Sequence, residues 1–204
     1  MRTSLQRWQS LWQRLGLTTD GAAWHARLMT AYSEPQRADH TLQHLEECLL
    51  CLDEAKKTGL MAQPDLIEMA LWFHDAVYDP QGSENEELSA KMALDAGAGG
   101  EVARLIMLTK SHLPGDGADD AWIIDIDLAI FAQPMGRVLE YEQQIRAEYA
   151  WVPQAVYAEK RAEILTIFLN RQQIYLTGWA RERFEVRARE NLRLLIDSVK
   201  PFTP

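Results

Sequence analysis

Five histidines stand in the sequence, and four of them, His40, His44, His74 and His112, fall within residues 40 to 112. His40 and His44 are four residues apart, so on a helix their imidazoles project from one face, a turn apart. That spacing lets two imidazoles serve one site. His74 and Asp75 adjoin late in the apolar run ALWFHDAVYD. With five His and 13 Asp, such a dipeptide arises by chance in roughly a third of chains of this composition, so its setting must carry the argument. Leu71, Trp72 and Phe73 precede it and belong in a core. A buried carboxylate costs several kcal/mol unless it is paired or holds a metal, on the order of the transfer penalties of ions. The adjacent histidine supplies a neutral nitrogen donor. Asp125 and Asp127 raise the same question inside WIIDIDLAIF. Two residues apart on a helix they point about 200° from each other, so one serves a common site while the other caps or pairs.

Other residues read as structure. His25 is expected to be a satisfied core histidine. Cys48 and Cys51 have the spacing of a CxxC motif but lie mid-helix with no βαβ context, which favours small buried residues over redox or metal roles. The tryptophans read as packing anchors, and the charged C-terminal helices as solvated faces.

Nearly every segment that must position these residues has helical period. Trp8, Leu11, Trp12 and Leu15 form one apolar stripe. Thr19 or Asp20 caps a second helix that stops before Pro35. A third is expected from about Gln36 to Lys57, with Gly59 as its C-cap, and a fourth begins at Pro64 and carries His74 and Tyr78. Asn85 caps a fifth, Glu101 to Ser111 forms a sixth, and LPGDGADD is the clearest loop. AWIIDIDLAIFAQ forms a seventh, stopped by Pro134, and two or three charged helices fill the remainder. Trp122 to Ile126 is the only β-rich run. The expectation is an all-α fold of about eight to ten helices. It reads as a single domain over residues 1–204, with a core at about 20–135 and a helical extension at 136–204.

The chain of 204 residues is 47% hydrophobic and 25% charged, as expected of a globular protein with a real core. Its formal charge of −9, with no basic block, leaves no electrostatic footprint for nucleic acid or an anionic membrane. An anionic substrate remains compatible, because a bound cation inverts the local field. Two cysteines exclude a disulfide framework. The amphipathic start lacks the apolar core of a signal peptide, and no run approaches the length of a membrane span. A reducing cytoplasm is the expected compartment.

The order His44, then His74-Asp75, then Asp127 resembles the H…HD…D pattern of the HD superfamily of metal-dependent phosphohydrolases. The resemblance extends along the chain. RADHTLQHLEECL is similar to the R-x-Y-H-N-x-x-H segment of a bacterial family in that superfamily. LWFHDAVYD, NEELSA, LTKSH, DIDLAIF, IRAEY, RAEILTIFLNRQQIY and ARENL follow in that family's order. Asp39 stands where the family has Tyr and Thr41 where it has Asn; neither is a ligand position.

The resemblance implies an HD-domain-like helical bundle with extra C-terminal helices, and a divalent cation held by His44, His74, Asp75 and Asp127. The similar H-N-x-x-H of cyclic-nucleotide phosphodiesterases makes His44 the ligand and His40 the general acid. A family segment of A-D-x-L type favours Asp127 over Asp125 as the last ligand. Mixed imidazole and carboxylate donors suit Mn, Fe, Co, Ni, Zn or Mg about equally. The implied reaction is hydrolysis of a phosphomonoester or phosphodiester, nucleotides included, by water whose pKa the cation lowers. Asp125 or Glu86 would orient that water. His112 would bind a second metal or a phosphate oxygen, and Arg37 would pair with phosphate. The alternative is an HD module that holds a metal without turnover, for ligand sensing or protein interaction. The expected partner is a small phosphate ester. Aromatic residues left at the surface would leave room for a homodimer, which the sequence itself does not show.

Overall fold

Capping and periodicity signals turn into helices throughout the computed structural model, which describes residues 1–199. Among the described residues there are ten α-helices, one 3₁₀ segment and no strand, so the fold class is all-α. The chain divides into two compact units, residues 1–127 and 128–204. The boundary expected near residue 135 between core and extension falls a few residues beyond that division.

The first unit contains α1 (Leu5–Arg14), α2 (Gly21–Ala31), α3 (Leu42–Lys56), α4 (Pro64–Phe73), α5 (Asn85–Asp95), α6 (Gly100–Ser111) and α7 (Asp120–Asp127). Its axis is α4, in which every residue from Ile67 to Phe73 is buried. A helix buried all round must be surrounded by others, and α4 packs against α1, α3, α5, α6 and α7. Its one buried acid, Glu68, pairs with Arg7 at 2.7 Å and with Lys56, so the charge does not enter the core uncompensated. Trp8 of α1 packs on Trp72 and Phe73 at ring separations of 5.1 and 5.9 Å. His25 Nε2 donates to Thr3 O (2.9 Å), and the ring stands between the Trp8 and Trp72 rings, which is the structural role its sequence setting suggests.

Asn85 opens α5 instead of capping it, Glu84 being the N-cap residue, and three boundaries nearer the candidate site also differ from the sequence reading. Helix α3 begins at Leu42, because the Thr41 side chain caps it by accepting from Gln43 N in an extended backbone conformation. His40 therefore precedes the helix, and the one-face argument for His40 and His44 does not apply. Helix α4 ends at Phe73, with His74 as its C-cap and Asp75 in the turn beyond. Helix α7 ends at Asp127 and the chain tightens into the 3₁₀ segment Leu128–Ala132, so the apolar run is two elements. The loop before α7 closes on Asp120, whose carboxylate accepts from Gly115 N, Gly117 N and Arg104. A Cβ on Gly117 would meet the Asp120 carboxylate and the Arg104 guanidinium, so a side chain there would displace that pair.

The second unit holds the 3₁₀ segment, α8 (Met135–Glu148), α9 (Gln154–Leu169) and α10 (Gly178–Val199). Asn191 donates to Phe131 O and Gln133 O, and Tyr175 donates to Leu128 O. These bonds satisfy carbonyls that a short 3₁₀ turn leaves open. Glu142 accepts from Tyr157 and Arg161 at 2.6 and 2.8 Å. The extension expected to be helical consists of these three long helices.

Candidate metal centre

Four candidate donors come from three helix ends or faces within the first unit. His44 is in the first turn of α3. His74 and Asp75 terminate α4, and Asp127 terminates α7. A helix terminus frees the side chain to turn inward while the core packing of the helix behind it fixes its position. His44 Nε2 lies 3.0 Å from His74 Nε2. It is 3.4 Å from Asp75 Oδ2 and 3.2 Å from Asp127 Oδ1. His74 Nε2 lies 2.9 Å from Asp75 Oδ2 and 3.5 Å from Asp127 Oδ1. Donors about 2.1 Å from one cation are about 3.0 Å apart in an octahedron and about 3.4 Å apart in a tetrahedron. The five separations span that interval.

The protonation states agree with a cationic centre. Burial pulls the His44 imidazole down, but the Cys48 sulfur, Asp127 and Asp75 together push it well above its ordinary value. Burial also lowers His74, and Asp75, Tyr32 and Asp127 outweigh it. Burial alone would raise Asp75 and Asp127. The surrounding histidines instead hold both carboxyls below the usual carboxylate range. The pocket thus demands positive charge. Two imidazolium rings with nitrogens 3.0 Å apart would repel by about 5–6 kcal/mol at an effective dielectric of 20. A single cation between the nitrogens meets the same demand without that repulsion.

Residues around the donors fix their orientation. His74 Nδ1 is 2.8 Å from Leu71 O and donates to it, which leaves Nε2 as the lone-pair nitrogen facing the centre. His112 Nε2 lies 2.9 Å from Asp127 Oδ2, the oxygen not turned toward His44. His112 sits at φ +51°, a left-handed conformation that is costly for a side-chain-bearing residue and here ends α6. It is thereby joined to the centre through Asp127.

The other expected site residues fall as follows. The His40 ring centroid is 6.3 Å from that of His44, and its ring stacks on Tyr78 at 3.9 Å and 20°. Arg37, expected to pair with phosphate, has its donors taken up within the fold. Its side chain is fully enclosed and donates to His40 O (3.0 Å), Asp75 O (2.6 Å), Ala76 O (3.0 Å) and Glu34 (3.0 Å). Arg37 ties the turn before α3 to the turn after α4. Asp125 is fully buried on α7 and close enough to Cys51 to help burial raise that thiol, and it is not among the converging donors. Glu86 lies in the first turn of α5, 3.9 Å from Lys110 Nζ.

Cys48 is what the sequence reading missed. Its sulfur lies 3.6 Å from His44 Nε2, and His44, Cys48, His74 and Asp127 present donor atoms all within 4.8 Å of one another. These residues could hold a metal ion. The signal available in the sequence was the spacing of four between His44 and Cys48, which the CxxC spelling obscured. The chain matches no family model, no curated protein and no solved structure. No helix among the described residues is long and apolar enough to cross a membrane.

Proposed function

We propose that the protein is a metal-dependent phosphohydrolase of HD type, acting on a phosphomonoester or phosphodiester, with nucleotide esters as one class. The observation that supports this reading is the set of five donor separations of 2.9–3.5 Å among His44, His74, Asp75 and Asp127. Two imidazoles and two carboxylates suit a hard or borderline divalent cation. Bound there, such a cation supplies charge for a phosphoryl oxygen and a water of lowered pKa.

The chain's own residues take the remaining roles. His40 is held by stacking on Tyr78, beside the centre and before the cap of α3. It is the residue suited to give a proton to the leaving oxygen. His112 keeps Asp127 turned toward the centre. Arg37 locks the His74-Asp75 corner through its backbone carbonyls. Glu86, which pairs with Lys110, is not assigned a role.

A second reading, a metal-holding module without turnover, has one observation in its favour. Asp125, a candidate base, is buried in the core of α7. The test is hydrolysis of nitrophenyl phosphate and bis-nitrophenyl phosphate by the full chain loaded in turn with Mn, Fe, Co, Ni, Zn and Mg. Turnover that chelation and Asp75→Asn both abolish is expected. His40→Ala should slow esters with poor leaving groups more than those with good ones. Stoichiometric cation binding with no turnover of either ester favours the second reading. Failure to bind any cation overturns both.

A further inference from the structure

The structure assigns Cys48 as an alternative donor to the same cation, so that two overlapping donor sets compete at one centre. Both share His44, His74 and Asp127. Asp75 completes a hard set of two nitrogens and two oxygens. Cys48 completes a soft set, which would hold a thiophilic cation such as zinc, cobalt or cadmium. The inference rests on the metal centre proposed above and concerns which metals it selects.

Three observations carry it. First, the Cys48 sulfur lies against the His44 ring, 3.6 Å from Nε2 and 3.8 Å from Nδ1, and within 4.8 Å of donor atoms of His74 and Asp127. Second, Cys48 follows His44 by one turn of α3, so the two donors stand on the buried face of that helix. Third, Cys48 is 2% exposed, so its thiol is shielded from solvent. Cys51, three residues on, lies beside Asp125 and is not among the converging donors. The pair therefore does not act as a CxxC.

Hard cations prefer carboxylate oxygen, and soft or borderline cations gain from thiolate. Binding through Cys48 forms a sulfur–metal bond and releases the thiol proton to solvent, so uptake in this mode is accompanied by proton release. A set of four protein donors also satisfies a tetrahedral zinc ion without a bound water. Asp75-mode binding of a six-coordinate cation leaves positions open.

The test is titration of the metal-stripped full chain with Co²⁺, followed by absorption, and competition of Zn²⁺ against Mn²⁺ for a chelating dye. The variants are Cys48→Ser, Cys51→Ser and Asp75→Asn. The wild type and Cys51→Ser should show a near-ultraviolet sulfur-to-cobalt charge-transfer band, and Cys48→Ser should lack it. Cys48→Ser should lose at least about tenfold in zinc affinity, the scale set by outer partners of zinc ligands, and keep its manganese affinity. Asp75→Asn should show the opposite preference. If Cys48→Ser does not fold, Cys48→Ala preserves the apolar packing and repeats the measurement. Cobalt uptake without the band, or equal loss of zinc and manganese in the Cys48 variant, overturns the inference and leaves the metal centre standing. Uptake of no cation by the wild type overturns the metal centre itself.

Discussion

Asp127→Asn should remove most of the thermal stabilisation that a bound cation confers, while changing the shape of the side chain little. His44 Nε2 and His74 Nε2 already stand 3.0 Å apart and 2.9–3.5 Å from Asp75 and Asp127, so binding needs little rearrangement. A ligand that binds only the folded state at 100 times its Kd adds about 2.7 kcal/mol. For a chain of this size, about 1 kcal/mol moves the midpoint by roughly 2–4 °C. The wild type should therefore rise by about 5–10 °C. The asparagine removes the negative charge that faces both imidazoles and accepts from His112. Its own rise should fall to about 1–2 °C under the same conditions, since affinity lost by two decades leaves only about 0.4 kcal/mol of linkage. The assay is differential scanning fluorimetry with and without each divalent cation, after dialysis against chelator. Equal rises in wild type and Asp127→Asn would refute the reasoning, as would no rise in the wild type with any cation tested.

Three further outcomes follow from named contacts. Arg37→Ala should cost about 3–5 kcal/mol in chemical denaturation, because it strips the donor from three backbone carbonyls around a fully enclosed guanidinium. Arg37→Lys, with a point charge in place of the planar fork, should recover only part of that loss. His112→Ala should weaken cation binding by about 10–100-fold, measured by dye competition, through loss of the bond that orients Asp127. The carboxyl of Asp120 is held below its ordinary value chiefly by its bond to Arg104, against the opposing effect of burial. A depressed folded pKa means stability that is present above the unfolded value near 3.8 and is lost as pH falls through the folded value. Asp120→Asn should thus destabilise by about 1.5–3 kcal/mol at pH 7, and the difference from wild type should shrink toward zero as pH falls below the ordinary carboxylate range.

Much of the helical framework was legible in local signals. Asp20 accepts from Ala23 N as an N-cap, and Pro64 opens α4, as such residues do when the backbone needs a side-chain partner or lacks a donor to lose. Ser111 closes α6 and the LPGDG loop follows. Boundaries were less legible where two local signals compete. Thr41 caps α3, although the apolar and charged pattern upstream continues the helical period. The β-rich run Trp122 to Ile126 is helical because α7 packs against α3, α4 and α6, and tertiary packing outweighs a weak local preference.

The residue types and their order along the chain determined that imidazoles and carboxylates occur inside apolar helices, where an ionised group needs compensation. They also determined an all-α chain, since helical period and caps are local properties. Only the tertiary structure decided which of those groups meet. Asp127 and not Asp125 reaches the two histidines, because α7 ends there and turns its last residue toward the ends of α3 and α4. Arg37 became a clamp because the carbonyls it satisfies lie 38 and 39 residues away in sequence. Cys48 joined the donors because one helical turn carries it over His44 while α4 and α7 bring the remaining donors to that face. Spacing along one helix is written in sequence. Convergence of three helices on one point is set by packing, which no local pattern records.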